Sequence, residues 1–429
     1  MIKMKFRPFF LLFFLVFIAK TAFASYILLP MDERQKEHLK AYGITYWVLQ
    51  QGAEAHWLLN YRGGSFAFKQ IGTFEKECVT RGVSFEVISD GQFANIQAEI
   101  GNPEVNMEDI KLEKAPLVAV YSPTVNERGE EIQPWDDAVT LVLTYAEIPY
   151  DVLYDEEILS DKLPKYDWLH LHHEDFTGQY GRFWPQYHAT PWYKENQKRQ
   201  EALAAKMGFN KVSQLKLGVV KTIKEWVGGG GFMFAMCSAT DTYDIALAAE
   251  GLDICEKIYD GDADDSNANS KLDFSKTFAF RNFKLKADPL EYEHSTIDNN
   301  HGRPQNPQVD YFSLFDFSAK WDPVPSMLTQ CHTKTVKGFM GQCTAYLKEY
   351  LKPDVLVLGE MKTYGETRYI HGTHGKGFFS FYGGHDPEDY KHYVGDPNTD
   401  LNLHPNSPGF RLILNNILFP AAKKKQRKT

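Results

Sequence analysis

The chain has 429 residues, 43% hydrophobic, 24% charged and 14% aromatic, which suits two domains or one large decorated domain. Its 23 Tyr and 30 Phe point to large packed interfaces and exclude a disordered polymer. The formal net charge of −9 argues against nucleic acid as a partner, because phosphates repel an acidic protein.

The chain opens with an address. Lys3, Lys5 and Arg7 precede an apolar run over residues 9–19, and Ala22-Phe23-Ala24 has the small-x-small form of a cleavage site. Residues 1–24 therefore predict a removable export signal, with the mature chain starting near Ser25 in a periplasmic or secreted protein. The run is too short to span a bilayer comfortably, so no stable membrane span is expected once it is removed.

Residues 25–115 predict a small α/β unit, with hairpin strands over 44–49 and 55–60, a helix over 73–81 and a strand over 83–88. Tyr61-Arg62-Gly63-Gly64 is a turn. Its glycine pair permits close backbone approach, to a ligand or within an ordinary tight turn. A βα rhythm follows over residues 116–421. Strands are expected at 117–121, 150–154, 168–171, 232–236 and 377–382, with helices at 136–147, 155–163, 215–227, 241–249 and 410–419. Residues 176–213 and 251–350 interrupt the rhythm as two long insertions, and loops of that length carry function or structure of their own. The tail from 422 to 429 is basic and reads as a frayed, solvated end.

Three apolar runs end in chemistry-bearing residues. One leads into His172-His173-Glu174-Asp175, one into Cys237-Ser238-Ala239-Thr240, and one into Gly383-Gly384-His385-Asp386. In an open parallel sheet the carboxyl ends of the strands form one crevice, where ligands bind. Cys237 sits at a sharp exit between Ala235 and Ala239, the small neighbours that a nucleophile elbow needs. The alternative is an inert buried thiol. His172, His173, Glu174, Asp175, Thr240 and Gly384 are the candidates for binding a small-molecule or carbohydrate substrate.

His170 and His172 lie on one face of a strand. His172, Glu174 and His385 offer a donor set for Zn or Mn, or simply polar groups for substrate hydroxyls. Asp260, Asp262 and Asp264 alternate like the start of a Ca loop, but Lys271 stands where the terminal Glu of that loop belongs. The aromatic insertion around Phe176, Tyr180, Phe183, Trp184, Trp192 and Tyr193 suits a sugar-stacking platform or plain packing onto the core. Residues 299–303, with His371, His374 and His404, are polar loop positions without a decisive pattern. Five cysteines is an odd count. Cys331 and Cys343 are near enough in sequence to bridge, and Cys237 is expected to stay free.

The order of helix, Gly-rich turn, strand and Cys237 elbow, then a late strand ending in Gly384-His385-Asp386 before a closing helix, resembles the class I glutamine amidotransferase-like domains. Within these it is most similar to the ThuA-like, trehalose-utilisation branch. The resemblance covers roughly residues 117–421 without the insertions. It implies a flavodoxin-like, mainly parallel sheet with helices on both faces. It also implies Cys237 as nucleophile, His385 as base and Asp386 or Glu388 as orienter. Two features depart from the family: alanines where glycines flank its Cys, and His-Asp-Pro-Glu where His-Pro-Glu is the rule. ThuA-like members generally lack the Cys, so a metal-assisted or sugar-binding role without the thiol is also implied. The opening Tyr26-Ile27-Leu28-Leu29-Pro30-Met31 resembles secreted proteins labelled asparagine synthetase B. That enzyme's N-terminal Cys nucleophile and Ser-Gly-Gly-x-Asp-Ser loop are absent, and position 2 is Ile2. The expectation is an exported hydrolase-type enzyme acting through the thiol on an amide or related carbonyl. A non-enzymatic glycan- or partner-binding module is the remaining alternative.

Overall fold

The computed structural model of the chain describes residues 25–422 apart from 127, 300–304, 392 and 394–395. The expected export signal of residues 1–24, the basic residues 423–429 and the loop residues 300–303 lie outside the described residues.

Five strands build the N-terminal unit: β1 (Ser25–Leu29), β2 (Ala55–Leu59), β3 (Ser65–Lys69), β4 (Glu86–Ser89) and β5 (Glu108–Leu112). They order as β4-β1-β3-β2-β5, with every neighbouring pair antiparallel. Residues 44–49 are not a strand. They lie in the helix His38–Gln50, ten of whose thirteen residues are buried. A helix covered on almost every side has no polar stripe, so its apolar run reads like a strand. The hairpin instead joins β2 to β3 through a turn in which Asn60, Arg62, Gly63 and Gly64 all take positive φ. A Cβ on Gly63 would stand 2.2 Å from the Met31 carbonyl oxygen, so the close approach is to the protein's own backbone. The Gly63 carbonyl accepts a bond from the buried Arg411.

The second sheet has ten strands: β6 (Val118–Tyr121), β7 (Asp151–Leu153), β8 (Trp168–Leu171), β9 (Phe232–Met236), β10 (Tyr311–Leu314), β11 (Thr335–Lys337), β12 (Tyr346–Leu347), β13 (Leu356–Met361), β14 (Glu366–His374) and β15 (Gly377–Tyr382). Their order is β11-β10-β13-β14-β15-β9-β8-β6-β7, with β12 paired to β14. The stretch β7-β6-β8-β9-β15 is parallel throughout. The strands beyond β15 are antiparallel. The sheet is therefore mixed rather than mainly parallel, and the fold is α/β with one mixed and one antiparallel sheet. Part of the 251–350 insertion supplies β10 and β11 to the sheet edge. β13 and β14 escape a hydrophobic scan because they bury charge. Arg368 on β14 pairs with Asp310 at 2.9 Å and Glu366 at 3.2 Å, with all three side chains at most 1% exposed.

Side chains alternate across the parallel strands. Phe232, Phe234 and Met236 of β9 join a core with the helices His38–Gln50, Ala138–Tyr145 and Pro408–Leu418 and with the N-terminal sheet. Met233 and Ala235 join the opposite core, with the helices Asp155–Leu159, Val212–Gly229 and Ala239–Ala248. Helices thus cover both faces, and the carboxyl ends of the parallel strands share one rim. No helix among the described residues is long and apolar enough to cross a membrane. All five cysteines are free. Cys331 and Cys343 do not bridge because they pack into cores on opposite faces of the sheet.

Candidate functional site

The three chemistry-bearing runs are the neighbouring strands β8, β9 and β15, and hydrogen bonds tie their exits together. The Cys237 N–H donates to the Gly384 carbonyl at 3.1 Å, and the Ala239 N–H donates to the His172 carbonyl at 2.9 Å. Strand order reverses between β6 and β8, the position at which open α/β sheets bind ligands.

Asp137 is the organising residue of this rim. It caps the helix that follows β6, one oxygen accepting the N–H groups of Val139 at 2.7 Å and Thr140 at 3.0 Å. Its other oxygen meets His170 Nε2 at 3.1 Å and makes a short bond with His172 Nδ1. Burial would raise the Asp137 pKa, but the two imidazoles outweigh it and hold the carboxyl well below its ordinary range. Burial pushes His172 down to about 3, against the pull of Asp137. His172 is therefore a neutral ring that donates from Nδ1 and keeps a lone pair on Nε2, a buried atom with no hydrogen-bond partner.

Two more rings gather at His172. His173 stacks on it with centroids 3.9 Å apart, and His385 lies 4.8 Å from His172 and 4.5 Å from His173. One nitrogen from each of the three rings falls within 4.8 Å of the others. Glu174 is not part of this group. Its carboxylate binds Lys216 Nζ at 2.7 Å, and Asp155 holds the same ammonium at 2.9 Å. The strand ends at Leu171, so the alternation that would align 172 with 174 does not extend that far. Burial drives the Glu174 pKa up to about 7 against the pull of Lys216. A set of His172, Glu174 and His385 is thereby replaced by His172, His173 and His385.

Cys237 takes φ +52, a left-handed conformation rare for a residue with a side chain, at the turn from β9 into the helix Ala239–Ala248. Its sulfur accepts the Gln342 N–H at 3.2 Å. Burial pushes the thiol up to about 11, while N–H groups of Gln342, Ser238 and Cys343 pull the other way. The thiol therefore rests protonated. Thr240 contributes to the turn rather than to an open surface, its hydroxyl donating to the Cys237 carbonyl at 2.8 Å. Gly384, at φ +109, has no room for a Cβ, which would stand 2.3 Å from the Phe339 ring.

Asp386 and Glu388, the expected orienters of His385, each carry further bonds. Asp386 accepts the N–H groups of Glu388 at 2.9 Å and Asp389 at 3.3 Å, closing its own turn. Glu388 pairs with Lys337 at 3.4 Å and His404 at 3.3 Å. Asp175 organises the start of the first insertion, accepting from Thr177 N–H and Gly181 N–H, both at 2.8 Å, and lying 3.3 Å from His294 Nε2.

The aromatic insertion packs inward. Tyr180 and Tyr193 are buried with Tyr259 and Leu215, and Phe183, Trp184 and Trp192 lean on that cluster. The Ca expectation meets an ammonium: Lys211 Nζ binds Asp260 at 2.9 Å and Asp253 and Asp262 at 2.5 Å, while Asp264 is exposed. These carboxylates already share a positive charge. A cavity of about 410 Å³ lies beside Lys211, Ser213 and Asp253, away from the rim. It has neither imidazole nor thiol, so the chemistry is assigned to the rim.

Asp137, Gln342 and His294 went unrecognised in the sequence. Only Asp137 carried a signal, as a capping residue directly before a helix.

No family model matches the sequence, and no curated protein matches it. Among solved structures, two cytoplasmic proteins of Salmonella typhimurium share 11% and 12% identity. Each match covers 72% of this chain, with 100% and 99% of those chains and TM-scores of 0.35 and 0.36. A catalytic mutant of a GH42 β-galactosidase from G. stearothermophilus shares 11% identity over 64% of this chain and 28% of its own, at a TM-score of 0.28. Likenesses this distant do not bear on function.

Proposed function

We propose that this protein is a hydrolase-type enzyme whose Cys237 thiol attacks an amide or related carbonyl at the rim of β8, β9 and β15. The carrying observation is the φ of +52 at Cys237, on the turn between a buried strand and a helix. Such strain persists where surrounding structure holds it, and it gathers at active sites. The strand order supports the same reading. Numbered along the chain, the parallel strands run 2-1-3-4-5, the order of flavodoxin-like sheets.

The chemistry follows from the residues present. As Cys237 Sγ bonds to the carbonyl carbon, its proton passes to an imidazole of the rim, which we assign to His385. That ring packs against His172, which Asp137 anchors. The N–H groups of Gln342 and Ser238 face the sulfur and favour its thiolate form as the proton leaves. The imidazolium returns its proton to the leaving amine, and water then cleaves the thioester.

The test is hydrolysis of a panel of small amides and esters by the full chain and by Cys237→Ser. The reading requires the variant to lose at least about a thousandfold in kcat/KM, as removal of a nucleophile does. Equal turnover by both proteins would eliminate it.

A further inference from the structure

We infer that His172, His173 and His385 form a binding site for one divalent transition-metal ion, with Asp137 as the carboxylate behind it. Three imidazoles converge there from two strand ends, with one nitrogen of each inside 4.8 Å of the others. His172 supplies the pointer. Its Nδ1 is committed to Asp137, so its Nε2 presents a lone pair, and that nitrogen is buried and unpartnered on a side chain only 3% exposed. A metal-binding histidine characteristically donates its other N–H to a carboxylate, which fixes the tautomer and raises the basicity of the ligating nitrogen. Asp137 does this for His172, and its own position is fixed by the helix cap it forms. A buried imidazole packed against two others, with a carboxylate at its back, is otherwise an expensive way to fill a strand end.

The donor chemistry selects the ion. All three donors are imidazole nitrogens; Glu174, which adjoins His173 in sequence, is bound to Lys216, and Asp137 is committed to His172 Nδ1. Imidazole sets suit Zn²⁺ and its neighbours, whereas Mn²⁺ prefers carboxylate and water. Three protein donors leave a fourth position open, as in zinc sites that exchange a ligand. His173 is solvent-exposed, which gives the ion a route in. The site goes beyond the thiol reading and makes no use of Cys237. The two meet at His385, whose ring serves either as a ligand or as a proton acceptor, so Zn²⁺ is expected to slow the thiol chemistry.

The experiment is a Zn²⁺ titration of the tag-free full chain, stripped with chelator and followed by competition with a chromophoric chelator. One ion per chain is expected. His172→Gln and His173→Gln should each weaken binding by at least about a hundredfold. Asp137→Asn should weaken it by about 10- to 100-fold, the usual effect of losing an outer carboxylate. Cys237→Ser should bind as the wild type does, which separates this outcome from that of the thiol proposal. His173 is exposed and its replacement spares the core, so it carries the test if the His172 variant does not fold. Absence of stoichiometric binding, or wild-type affinity in His173→Gln, would overturn the inference.

Discussion

Replacing Cys237 by glycine and, separately, by alanine tests the elbow through stability as well as activity. A side chain held in the left-handed region costs about 1–2 kcal/mol, and glycine does not bear that cost. At an ordinary φ the comparison runs the other way, with glycine about 0.5–1 kcal/mol less stable than alanine because it loses more backbone freedom. At φ +52 the strain outweighs that entropy, so Cys237→Gly should be more stable than Cys237→Ala by roughly 1 kcal/mol. Both variants lose the same buried thiol, so the sulfur cancels from their difference, which leaves the backbone and one Cβ. Urea unfolding of the two proteins, with equal slopes, measures it. Both should also be catalytically dead. If the alanine variant is the more stable, the turn is not strained as described; if either retains turnover, Cys237 is not the nucleophile.

Three further outcomes follow from the fold. Lys216→Met should destabilise the protein by about 3–5 kcal/mol, because it strands the buried carboxylates of Asp155 and Glu174; thermal unfolding reads the loss. Gly384→Ala forces a Cβ into the Phe339 ring at an unfavourable φ and should cost about 2 kcal/mol or more, with loss of activity because the Gly384 carbonyl positions Cys237. His38 is held down to about 3 by burial, then by Arg411 and His332, so the folded protein binds its proton more weakly than the unfolded chain does. Stability from this group is complete above about pH 6.5 and falls as pH drops toward 3, by about 1.4 kcal/mol per unit. His38→Gln should flatten that part of a stability-against-pH curve.

Legibility in the sequence divided along physical lines. The strands Trp168–Leu171, Phe232–Met236 and Gly377–Tyr382 are short apolar runs bounded by turn residues, and they sit where the pattern placed them. The helix His38–Gln50 was misread because burial on all sides erases helical periodicity. β13 and β14 escape the pattern because Glu360, Glu366 and Arg368 are buried and satisfied by Lys348, Asn299 and Asp310, each at least twelve positions away. The same remoteness hid the roles of charged residues at the site. Glu174 was grouped with the histidines because it adjoins them, whereas Lys216 decides its direction from 42 positions away. Asp137 lies 35 positions before His172 and reaches it only because β6 and β8 are neighbours.

The most direct measurement of the central claim is peptide mapping of the full chain after brief reaction with chloroacetamide, a small amide-bearing alkylating agent. Cys331 is the more exposed thiol, and Cys237 is only 4% exposed. Access alone therefore favours Cys331, while an elbow that delivers a thiol to an amide favours Cys237. The account predicts that Cys237 is modified first. Modification of Cys331 with Cys237 left intact would contradict it.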